Sequence, residues 1–356
     1  MSLEERLILV TGASGWLGRG VIAGLLHGLP DWERWSSPAR GLRVRALVPP
    51  QEDLPVQCDR RVQYVRGDLR SIEDCRRFCV DGRGALLFHL AGVIHPARRV
   101  RELYEVNVEG AGRLLDAAAE AGIERAVVMS SNSPLGCNPH PDHLFDEDSP
   151  YRPYMHYGRS KMQLEELVSG WTRRGVFETV VVRAPWFYGP RQPPRQTAFF
   201  SMIRDGGAPL LGGGENLRSM TYIDNLAAGL LLAATVPGAA GRTYWIADER
   251  PYSMNEIVDT VERLLESEFD QKCAHRRLRL PWLTGEVAGV VDWTLQSLGL
   301  YNQKVHVLSE MNKTIACSID RARLELGYDP RISLEEGMRR SLRWLQEAGG
   351  LPPARG

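Results

Sequence analysis

The sequence has no excess of charge of either sign. Its 356 residues contain 44 lysines and arginines against 44 aspartates and glutamates, which gives a formal net charge of zero at pH 7. A chain without a net field does not attract nucleic acid or an anionic membrane over long distances, although a local basic patch is compatible with this balance. We therefore expect no nucleic-acid partner, and we expect any anionic ligand to be held by local groups.

Cysteine is scarce. The six cysteines are too few and too scattered for a disulfide framework, and even the closest pair, Cys75 and Cys79, is separated by three bulky residues. Reduced thiols are the simplest interpretation. A cytoplasmic location is therefore expected.

Long apolar runs are missing as well. The amino terminus lacks the basic region and apolar core of a signal peptide. The stretch nearest to the roughly 20 apolar residues of a membrane span is 282–300, and Glu286 and Asp292 interrupt it. We therefore expect no membrane span. We interpret this stretch as a buried or amphipathic helix, with membrane or lipid contact as the alternative.

The first 185 residues alternate short apolar, β-branched runs with longer helical patterns. This alternation predicts a parallel sheet covered by helices on both faces. The expected strand order, 3-2-1-4-5-6, places the carboxyl ends of the strands along one edge, where this architecture binds dinucleotides. Residues 31–41 are interpreted as a surface insertion. The predicted fold class is α/β, a Rossmann-type doubly wound parallel sheet with a smaller C-terminal lobe.

The composition changes after residue 185, where loops rich in glycine and proline begin. We predict a dinucleotide-binding Rossmann domain at 1–185 and a mixed α/β substrate-binding lobe at 186–348, with the option that the chain crosses back between them. Residues 349–356 are predicted to form a flexible tail.

Three glycines at three-residue spacing lie between the first predicted strand and the first predicted helix, in 'LILVTGASGWLGRG'. Without side chains, the backbone can turn tightly and present its amides at a helix N-terminus, where a pyrophosphate is stabilised. The alternative is an ordinary strand-to-helix turn. The position between strand and helix favours a dinucleotide, with contacts from Gly12, Gly15, Trp16, Leu17 and Gly18.

The sequence leaves the choice between NAD and NADP open. The second strand usually ends in an acidic residue that binds the adenosine ribose, but here it ends in Val48 and Pro49. Arg19 and Arg45 could meet the 2′-phosphate of NADP, or they could be surface arginines. The predicted cofactor is therefore NAD or NADP.

Asp68 and Leu69 follow the third predicted strand. A carboxylate at this point can accept a hydrogen bond from the adenine amino group, while a leucine packs on the ring. The alternative role for Asp68 is the N-cap of the next helix, for which Ser71 is better placed. We therefore predict that Asp68 and Leu69 contact the cofactor.

Two serines, Ser130 and Ser131, end the fifth predicted strand, and the helix that follows carries Tyr157 and Lys161 one turn apart on one face. A lysine ammonium ~4 Å from a phenol, at an effective dielectric constant of ~20, contributes about 4 kcal/mol, which would lower the tyrosine pKa by about three units from about 10. The spacing therefore predicts a phenol that can exchange a proton near neutral pH.

The predicted catalytic set is Ser131, Tyr157 and Lys161. Ser131 would hold the reacting oxygen, Tyr157 would give or take its proton, and Lys161 would bind the nicotinamide ribose, while the nicotinamide supplies the hydride. The alternative is an ordinary helical pair. Two more tyrosines, Tyr151 and Tyr154, lie in the loop before the helix without a lysine four residues on, so packing or substrate contact suits them better.

Two histidine patterns have both a functional and a structural interpretation. Cys137, His140 and His143 have spacings that could ligate zinc, but no fourth partner is evident and a polar loop is favoured, so no metal is predicted. His95 could contact substrate or lie in a loop beside Pro96.

Eight motifs occur in a fixed order over residues 6–340: 'TGASGWLG', 'GDL', 'HLAGVIH', 'NVEGAGRLLDAA', 'SSNSPLG', 'YGRSK', 'RAPWFYGP' and 'RSMTYIDNLA'. Together they resemble the extended short-chain dehydrogenases/reductases of the NAD-dependent epimerase/dehydratase family. The resemblance implies the same catalytic set and a homodimer formed through the helices at 100–121 and 157–174. It implies further cofactor contacts from Leu90, Ala91, Gly92, Asn107, Ser130 and Pro185.

The resemblance also narrows the chemistry. Relatives that dehydrate or decarboxylate sugars carry an acidic residue after the catalytic hydroxyl, whereas this chain has Asn132 and Ser133 there. Dehydration and decarboxylation are therefore disfavoured, which leaves simple oxidation, reduction, or oxidation followed by re-reduction. Arg218 matches the arginine that binds the diphosphate of a nucleotide sugar in many members, with a structural salt bridge to Asp224 or its neighbours as the alternative role. A nucleotide-sugar epimerase, which removes a hydride and returns it, is therefore the favoured prediction.

Other features favour a different substrate. Trp186 stands where nucleotide-sugar enzymes usually have asparagine, and the C-terminal region is similar to that of 3β-hydroxysteroid dehydrogenase-like relatives. A flat, apolar ligand between aromatic walls is the alternative. The predicted substrate contacts are Asn132, Trp186 and Arg218. A cofactor-sensing protein without catalysis is a third possibility, although such proteins tend to lose the tyrosine and lysine.

Overall fold

The amino-terminal half of the chain alternates strands and helices. The computed structural model describes residues 2–52, 59–97 and 99–351, so Cys58 and most of the predicted tail lie outside it. The elements of this half are β1 (Leu7–Thr11), α1 (Trp16–His27), β2 (Arg43–Val48), β3 (Val62–Arg66), α2 (Ile72–Cys79), β4 (Leu86–His89), α3 (Arg101–Tyr104), α4 (Ala111–Ala121), β5 (Arg125–Met129), α5 (Met155–Arg174) and β6 (Glu178–Arg183).

The carboxyl-terminal half has shorter strands and more loops. Its elements are β7 (Trp186–Tyr188), α6 (Pro194–Arg204), β8 (Pro209–Leu211), β9 (Leu217–Arg218), β10 (Met220–Tyr222), α7 (Ile223–Thr235), β11 (Thr243–Trp245), β12 (Tyr252–Ser253), α8 (Met254–Glu268), β13 (Leu278–Leu280), α9 (Leu283–Ser297), α10 (Gln303–Glu310) and α11 (Leu334–Glu347).

Within the described residues, seven strands form one parallel sheet in the order β11-β6-β5-β4-β1-β2-β3. The predicted order of the first six strands and the predicted fold class are confirmed. β11 joins beside β6, with Thr243 opposite Val181, so the chain returns to the sheet after residue 185. The division into regions at residue 185 stays a prediction.

Both faces of the sheet carry apolar side chains, and helices bury both faces. Along β1, Ile8 and Val10 are buried in one layer and Leu9 is buried in the other. Residues 31–41, expected to form a surface insertion, contribute Trp32 and Trp35 to the first layer, so that expectation is wrong for these two side chains.

The helix ends follow local sequence signals. Ser71 caps α2 by accepting a hydrogen bond from the Asp74 amide at 3.2 Å, the role expected for it. α5 begins at Met155, two residues before the predicted start. A π-helical turn at Glu105–Gly110 joins α3 to α4, within the predicted helix at 100–121. No described helix is long and apolar enough to cross a membrane.

Candidate active site

The glycine turn between β1 and α1 has room for backbone only. Gly12 has a φ of +68°, and a Cβ there would lie 2.7 Å from the Ala91 amide nitrogen. A Cβ at Gly18 would overlap the Gly12 carbonyl oxygen. Since α1 begins at Trp16 and its N-cap, Gly15, has no side chain, the first amides of the helix are left for a ligand. The turn fits the pyrophosphate of a dinucleotide.

The loop after β4 lies between this turn and the predicted catalytic lysine. The Ala91 amide donates a hydrogen bond to the Thr11 hydroxyl at 3.3 Å. A Cβ at Gly92 would lie 3.2 Å from the Lys161 ammonium nitrogen and 3.3 Å from the Asn107 amide oxygen. The structure thus brings the Leu90 to Gly92 segment together with both the glycine turn and the catalytic helix.

Asn107 fixes this loop from behind. Its amide oxygen accepts from the Val93 N–H at 2.7 Å, and its amide nitrogen donates to the Val93 carbonyl at 2.9 Å and to the Ser160 hydroxyl at 3.1 Å. The side chain is 1% exposed. Since its amide binds protein groups on both sides, Asn107 ties the cofactor loop to α5.

At the predicted adenine end of the site, the Asp68 carboxylate is already paired with an arginine. Arg70 makes a salt bridge with Asp68, 2.5 Å from Nη2 to Oδ2, and holds the pKa of that carboxyl below its usual value. Leu69 is buried beside Gly110, where a Cβ would approach it to 3.0 Å. Contacts of Asp68 and Leu69 with adenine stay predictions, and Arg70 is a partner that the motif did not indicate.

The two arginines considered for a 2′-phosphate differ in their environment. Arg45 is buried and donates to the Gln63 amide oxygen at 2.7 Å and to the Phe78 carbonyl at 3.0 Å, so its guanidinium is part of the core. Arg19 is exposed. Only Arg19 of these two is free to meet a phosphate.

Tyr157 is half-buried at the carboxyl edge of the sheet. Burial raises the pKa of Tyr157 to about 12, and a hydrogen bond with Ser131 opposes that rise. Ser131 is itself held by the Ser133 amide, which donates to its hydroxyl at 3.3 Å. The phenol therefore carries its proton at neutral pH, and the serine hydroxyl lies beside it.

Lys161 is 4% exposed, and its ammonium donates to the Met129 carbonyl oxygen at 3.0 Å. Burial lowers the pKa of Lys161 to about 8, while the charge of Glu165 opposes this shift. The expected lowering of the Tyr157 pKa is wrong in direction, because burial of the phenol outweighs the groups that lower its pKa. The Lys161 ammonium donates instead to the end of β5.

The other two tyrosines of the segment are engaged elsewhere. The Tyr151 hydroxyl donates to the Glu165 carboxylate at 2.8 Å, and the Tyr154 hydroxyl lies 2.7 Å from that of Ser309. Burial raises the pKa of both phenols. Of the three tyrosines, Tyr157 is the one that the structure places beside the serine at the strand end.

A buried ion pair lies behind α5, the helix that carries the predicted catalytic residues. Arg183, at the end of β6, lies 2.7 Å from Glu165, one turn after Lys161, and both side chains are at most 4% exposed. The Ser130 hydroxyl donates to the same carboxylate at 2.5 Å. Ser130 thus uses its hydroxyl within the protein, and its predicted cofactor contact stays a prediction. No sequence motif indicated Glu165 or Arg183, although the four-residue spacing from Lys161 to Glu165 is a usable signal.

Aromatic side chains line the region after β6. Trp186 follows the buried Pro185 and packs edge-on against Phe199, with ring centroids 5.7 Å apart. Trp16, at the start of α1, contacts Phe187 with centroids 6.4 Å apart. Two aromatic pairs therefore follow β6, one with Phe199 on α6 and one with Trp16 at the start of α1.

Arg218 does not pair with a carboxylate among the described residues. One of its terminal nitrogens donates to the Glu310 carbonyl oxygen at the end of α10, and its buried Nε has no hydrogen-bond partner in the described chain. Burial lowers the pKa of Arg218. The alternative salt bridge to Asp224 is not formed. The third predicted substrate contact, Asn132, accepts from the Ser131 hydroxyl at 3.3 Å.

The α9–α10 hairpin adds groups that no motif indicated. His95 Nδ1 lies 2.5 Å from the Tyr301 hydroxyl, between α9 and α10, and burial lowers the pKa of His95 to about 3. The charge of Arg195 acts on both Tyr301 and Tyr157. Tyr301 from the hairpin and Arg195 from α6 thus lie close enough to Tyr157 or to His95 to influence the candidate site. In the described part of the chain, no group of three or more histidine, cysteine or acidic residues could hold a metal ion.

Comparison with known proteins agrees with this geometry. The model of the NAD-dependent epimerase/dehydratase family matches residues 8–247. An uncharacterised protein of Sinorhizobium fredii, y4nL, is 49% identical over 98% of both chains. The 3β-hydroxysteroid dehydrogenase/decarboxylase isoform 1 of Arabidopsis thaliana is 26% identical over 95% of this chain and 79% of its own.

Two more proteins are similar over nearly the whole chain. A ketoreductase of Stigmatella aurantiaca, named for a farnesylated 3-oxo-dihydroquinoline-1-oxide, is 28% identical over 92% of this chain and 93% of its own. The structure of dTDP-glucose 4,6-dehydratase (DesIV) from Streptomyces venezuelae, solved with NAD, covers 97% of this chain and 98% of its own, with 24% identity and a TM-score of 0.72.

Proposed function

Since the chain belongs to the NAD-dependent epimerase/dehydratase family, we propose that it is an oxidoreductase that interconverts a ketone and a secondary alcohol on an apolar, lipid-like substrate. That it is an NAD-dependent enzyme of the extended short-chain dehydrogenase/reductase type follows from the family itself. The substrate class is the proposal. Its main support is the aromatic pair of Trp186 and Phe199, which follows the carboxyl end of β6.

The residues of the site have distinct roles in this proposal. The glycine turn binds the pyrophosphate, and Lys161, whose ammonium lies beside the Gly92 position, binds the nicotinamide ribose. Ser131 holds the carbonyl oxygen of the substrate. Tyr157 carries its proton at neutral pH and donates it to that oxygen as negative charge develops there. When bound, NADH supplies the hydride.

The relatives support an apolar substrate. The steroid dehydrogenase of Arabidopsis and the ketoreductase of Stigmatella both align with more than 90% of this chain, including its C-terminal lobe. Their names describe ring-containing, largely apolar substrates. Asn132, and not an acidic residue, follows Ser131, which also fits simple reduction or oxidation.

A nucleotide-sugar epimerase is the second candidate, and one observation favours it. The Nε of Arg218 is buried without a partner in the described chain, and a buried donor without an acceptor is costly. A diphosphate oxygen would satisfy it. Arg218 already donates to the Glu310 carbonyl, however, so a diphosphate would have to share the guanidinium with α10.

The experiment is a substrate panel assayed with purified protein and NADH. Sterol ketones, prenylated ketones and nucleotide sugars are tested separately, and both the absorbance of the reduced cofactor and the sugar products are followed. We expect NADH consumption equal to the alcohol formed from an apolar ketone. Epimerised sugar without net NADH consumption, and no reduction of any apolar ketone, would overturn the proposal.

Arg218→Gln provides an internal comparison for this panel. The variant should keep apolar ketone reduction within about threefold, because that reaction needs no anion contact. It should lose nucleotide-sugar epimerisation by at least about tenfold if that reaction occurs, since a charge-assisted contact to phosphate contributes roughly 1.5–3 kcal/mol.

A further inference from the structure

The outward face of α9 carries no charge and is mostly apolar. At 100° per residue, Leu283, Val287, Val290, Val291 and Leu298 fall on one arc of the helix and its C-cap, and their exposed fractions are 64%, 62%, 65%, 44% and 72%. Thr294 and Ser297 complete the arc, which contains no charged residue. Ordinary surface helices place charged residues on their outward face, so this face is unusual for a helix bathed by water.

The inward face of α9 is polar instead. Asp292 is fully buried and lies 2.7 Å from His306 on α10, and it accepts a hydrogen bond from Gln296 at 3.0 Å. Gln296 also accepts from the His156 amide on α5 at 3.1 Å. The helix is thus attached to the protein through polar contacts, while its apolar residues face outward. In an ordinary surface helix, by contrast, the apolar face packs against the core and the polar face points to solvent.

Two tryptophans and more aliphatic side chains extend the apolar face. Trp282, before α9, is 54% exposed and Trp293 is 61% exposed. Leu300 and Val307 continue the surface onto the α9–α10 hairpin, with 46% and 43% exposure. Exposed tryptophan is typical of segments that lie at the boundary between water and lipid.

The unpaired charges of the segment that carries this face all have one sign. Among the described residues of the segment 276–307, Arg277, Glu286 and Asp292 have ion-pair partners. The three remaining charged residues form no ion pair with another described residue. They are Arg276, Arg279 and Lys304, all exposed. Two precede α9 and one opens α10, so basic residues flank both ends of the apolar face.

We propose that this face, the α9–α10 surface, docks the protein on a membrane that contains anionic lipids. The aliphatic and tryptophan side chains would enter the boundary between headgroups and acyl chains, and the three basic residues would contact the headgroups. The helix would lie in the plane of the membrane, consistent with the lack of a helix that could span it among the described residues. The proposal does not depend on the enzyme's substrate.

Charge favours a membrane over a second copy of this chain. An isologous contact through the α9–α10 surface would bring Arg276, Arg279 and Lys304 of two copies to the same interface without acidic partners on that surface. An anionic membrane would instead present negatively charged headgroups to these three basic residues. Docking also has a functional consequence, because α9 contacts α5 beside Tyr157 and would hold the candidate site next to the lipid.

The test is co-sedimentation of the full chain with vesicles of phosphatidylcholine alone or mixed with phosphatidylserine. We expect binding to the mixed vesicles and a decrease in that binding as salt is added. Arg276→Gln, Arg279→Gln and Lys304→Gln combined should weaken it on the order of 100-fold, since each basic residue near an anionic surface contributes roughly fivefold. Leu283→Gln, Val287→Gln and Val290→Gln combined should weaken binding to both kinds of vesicle.

Leu324→Gln with Val176→Gln is the matched control, because both side chains are exposed, at 87% and 55%, and lie outside the hairpin. It should bind like the wild type. Thermal unfolding checks that each variant folds, and the tryptophan fluorescence of the wild type should shift to the blue on mixed vesicles. Absence of vesicle binding by the wild type, or full binding by the apolar variant, would overturn the proposal. Dimerisation that the apolar variant abolishes, without vesicle binding, would also overturn it in favour of a second copy.

Discussion

Replacing Glu165 by glutamine tests whether the buried ion pair beneath the catalytic helix stabilises the site. The carboxylate and Arg183 are both at most 4% exposed and 2.7 Å apart, so glutamine would leave a guanidinium buried without a counter-charge. Breaking such a pair costs roughly 3–5 kcal/mol. The new amide nitrogen would also face the hydroxyl of Tyr151 or Ser130, which donate to the carboxylate in the wild type.

Glu178→Gln is the matched control. Its partner Arg125 is fully buried, but Glu178 is 41% exposed and water can compensate for its loss. Arg125 keeps other acceptors, since its guanidinium donates to the carbonyl oxygens of Ala233, Ala234, Val236 and Pro237. This substitution should cost no more than about 1 kcal/mol.

The assay is urea denaturation of both variants and the wild type, with the slope of the transition checked for constancy. Glu165→Gln should lower the free energy of unfolding by several kcal/mol, and Glu178→Gln should change it little. Glu165 also raises the pKa of Lys161, so its loss should move the alkaline limb of the activity profile to lower pH. Equal stability of the two variants would refute the argument from burial.

Three further predictions concern the turn, the serine and a buried acid. Gly12→Ala should weaken NADH binding at least about tenfold in a fluorescence titration. The new Cβ would press on the Ala91 amide, and alanine avoids the positive φ of this position. Unchanged affinity would contradict this prediction. Ser131→Ala should cut turnover by about tenfold or more and leave NADH affinity unchanged, since it removes the hydrogen bond to Tyr157; wild-type turnover would argue against the assigned role. Burial raises the pKa of Asp248 to about 7, so the folded chain keeps a proton that the unfolded chain releases, and the contribution of Asp248 to the free energy of unfolding should fall as pH rises from about 4 to about 7. Asp248→Asn should remove this decrease in urea melts across that range, and an unchanged pH dependence would show that another group causes it.

Much of the fold could be predicted because its signals are local. The alternation of apolar runs and helical patterns gave the order of six strands, and the three-residue glycine spacing indicated a turn that has no room for a Cβ at Gly12. The return of β11 to the sheet could not be predicted in this way, since three residues of strand carry little pattern. The burial of Trp35 could not be predicted either, because it belongs to a core cluster that includes residues of α7, far away along the chain.

The site was predictable in its residues more than in its electrostatics. The one-turn spacing of Tyr157 and Lys161 is a property of the helix, so sequence alone indicated it. The pKa of the phenol depends instead on burial, which the sequence does not show, and its predicted direction was wrong. Likewise, Arg183 lies on β6, and no motif joins it to Glu165 on α5. Arg70 is only two residues after Asp68, but the motif does not show that the two side chains pair.

The central claim is that Tyr157 transfers the proton in a reaction of a bound nicotinamide cofactor. Turnover and NADH affinity of Tyr157→Phe should be measured together, with Tyr154→Phe as the control because its hydroxyl binds Ser309 outside the reacting groups. We predict that Tyr157→Phe lowers turnover by about 10² or more and leaves NADH affinity nearly intact, while Tyr154→Phe changes turnover little. Wild-type turnover in Tyr157→Phe would contradict the account.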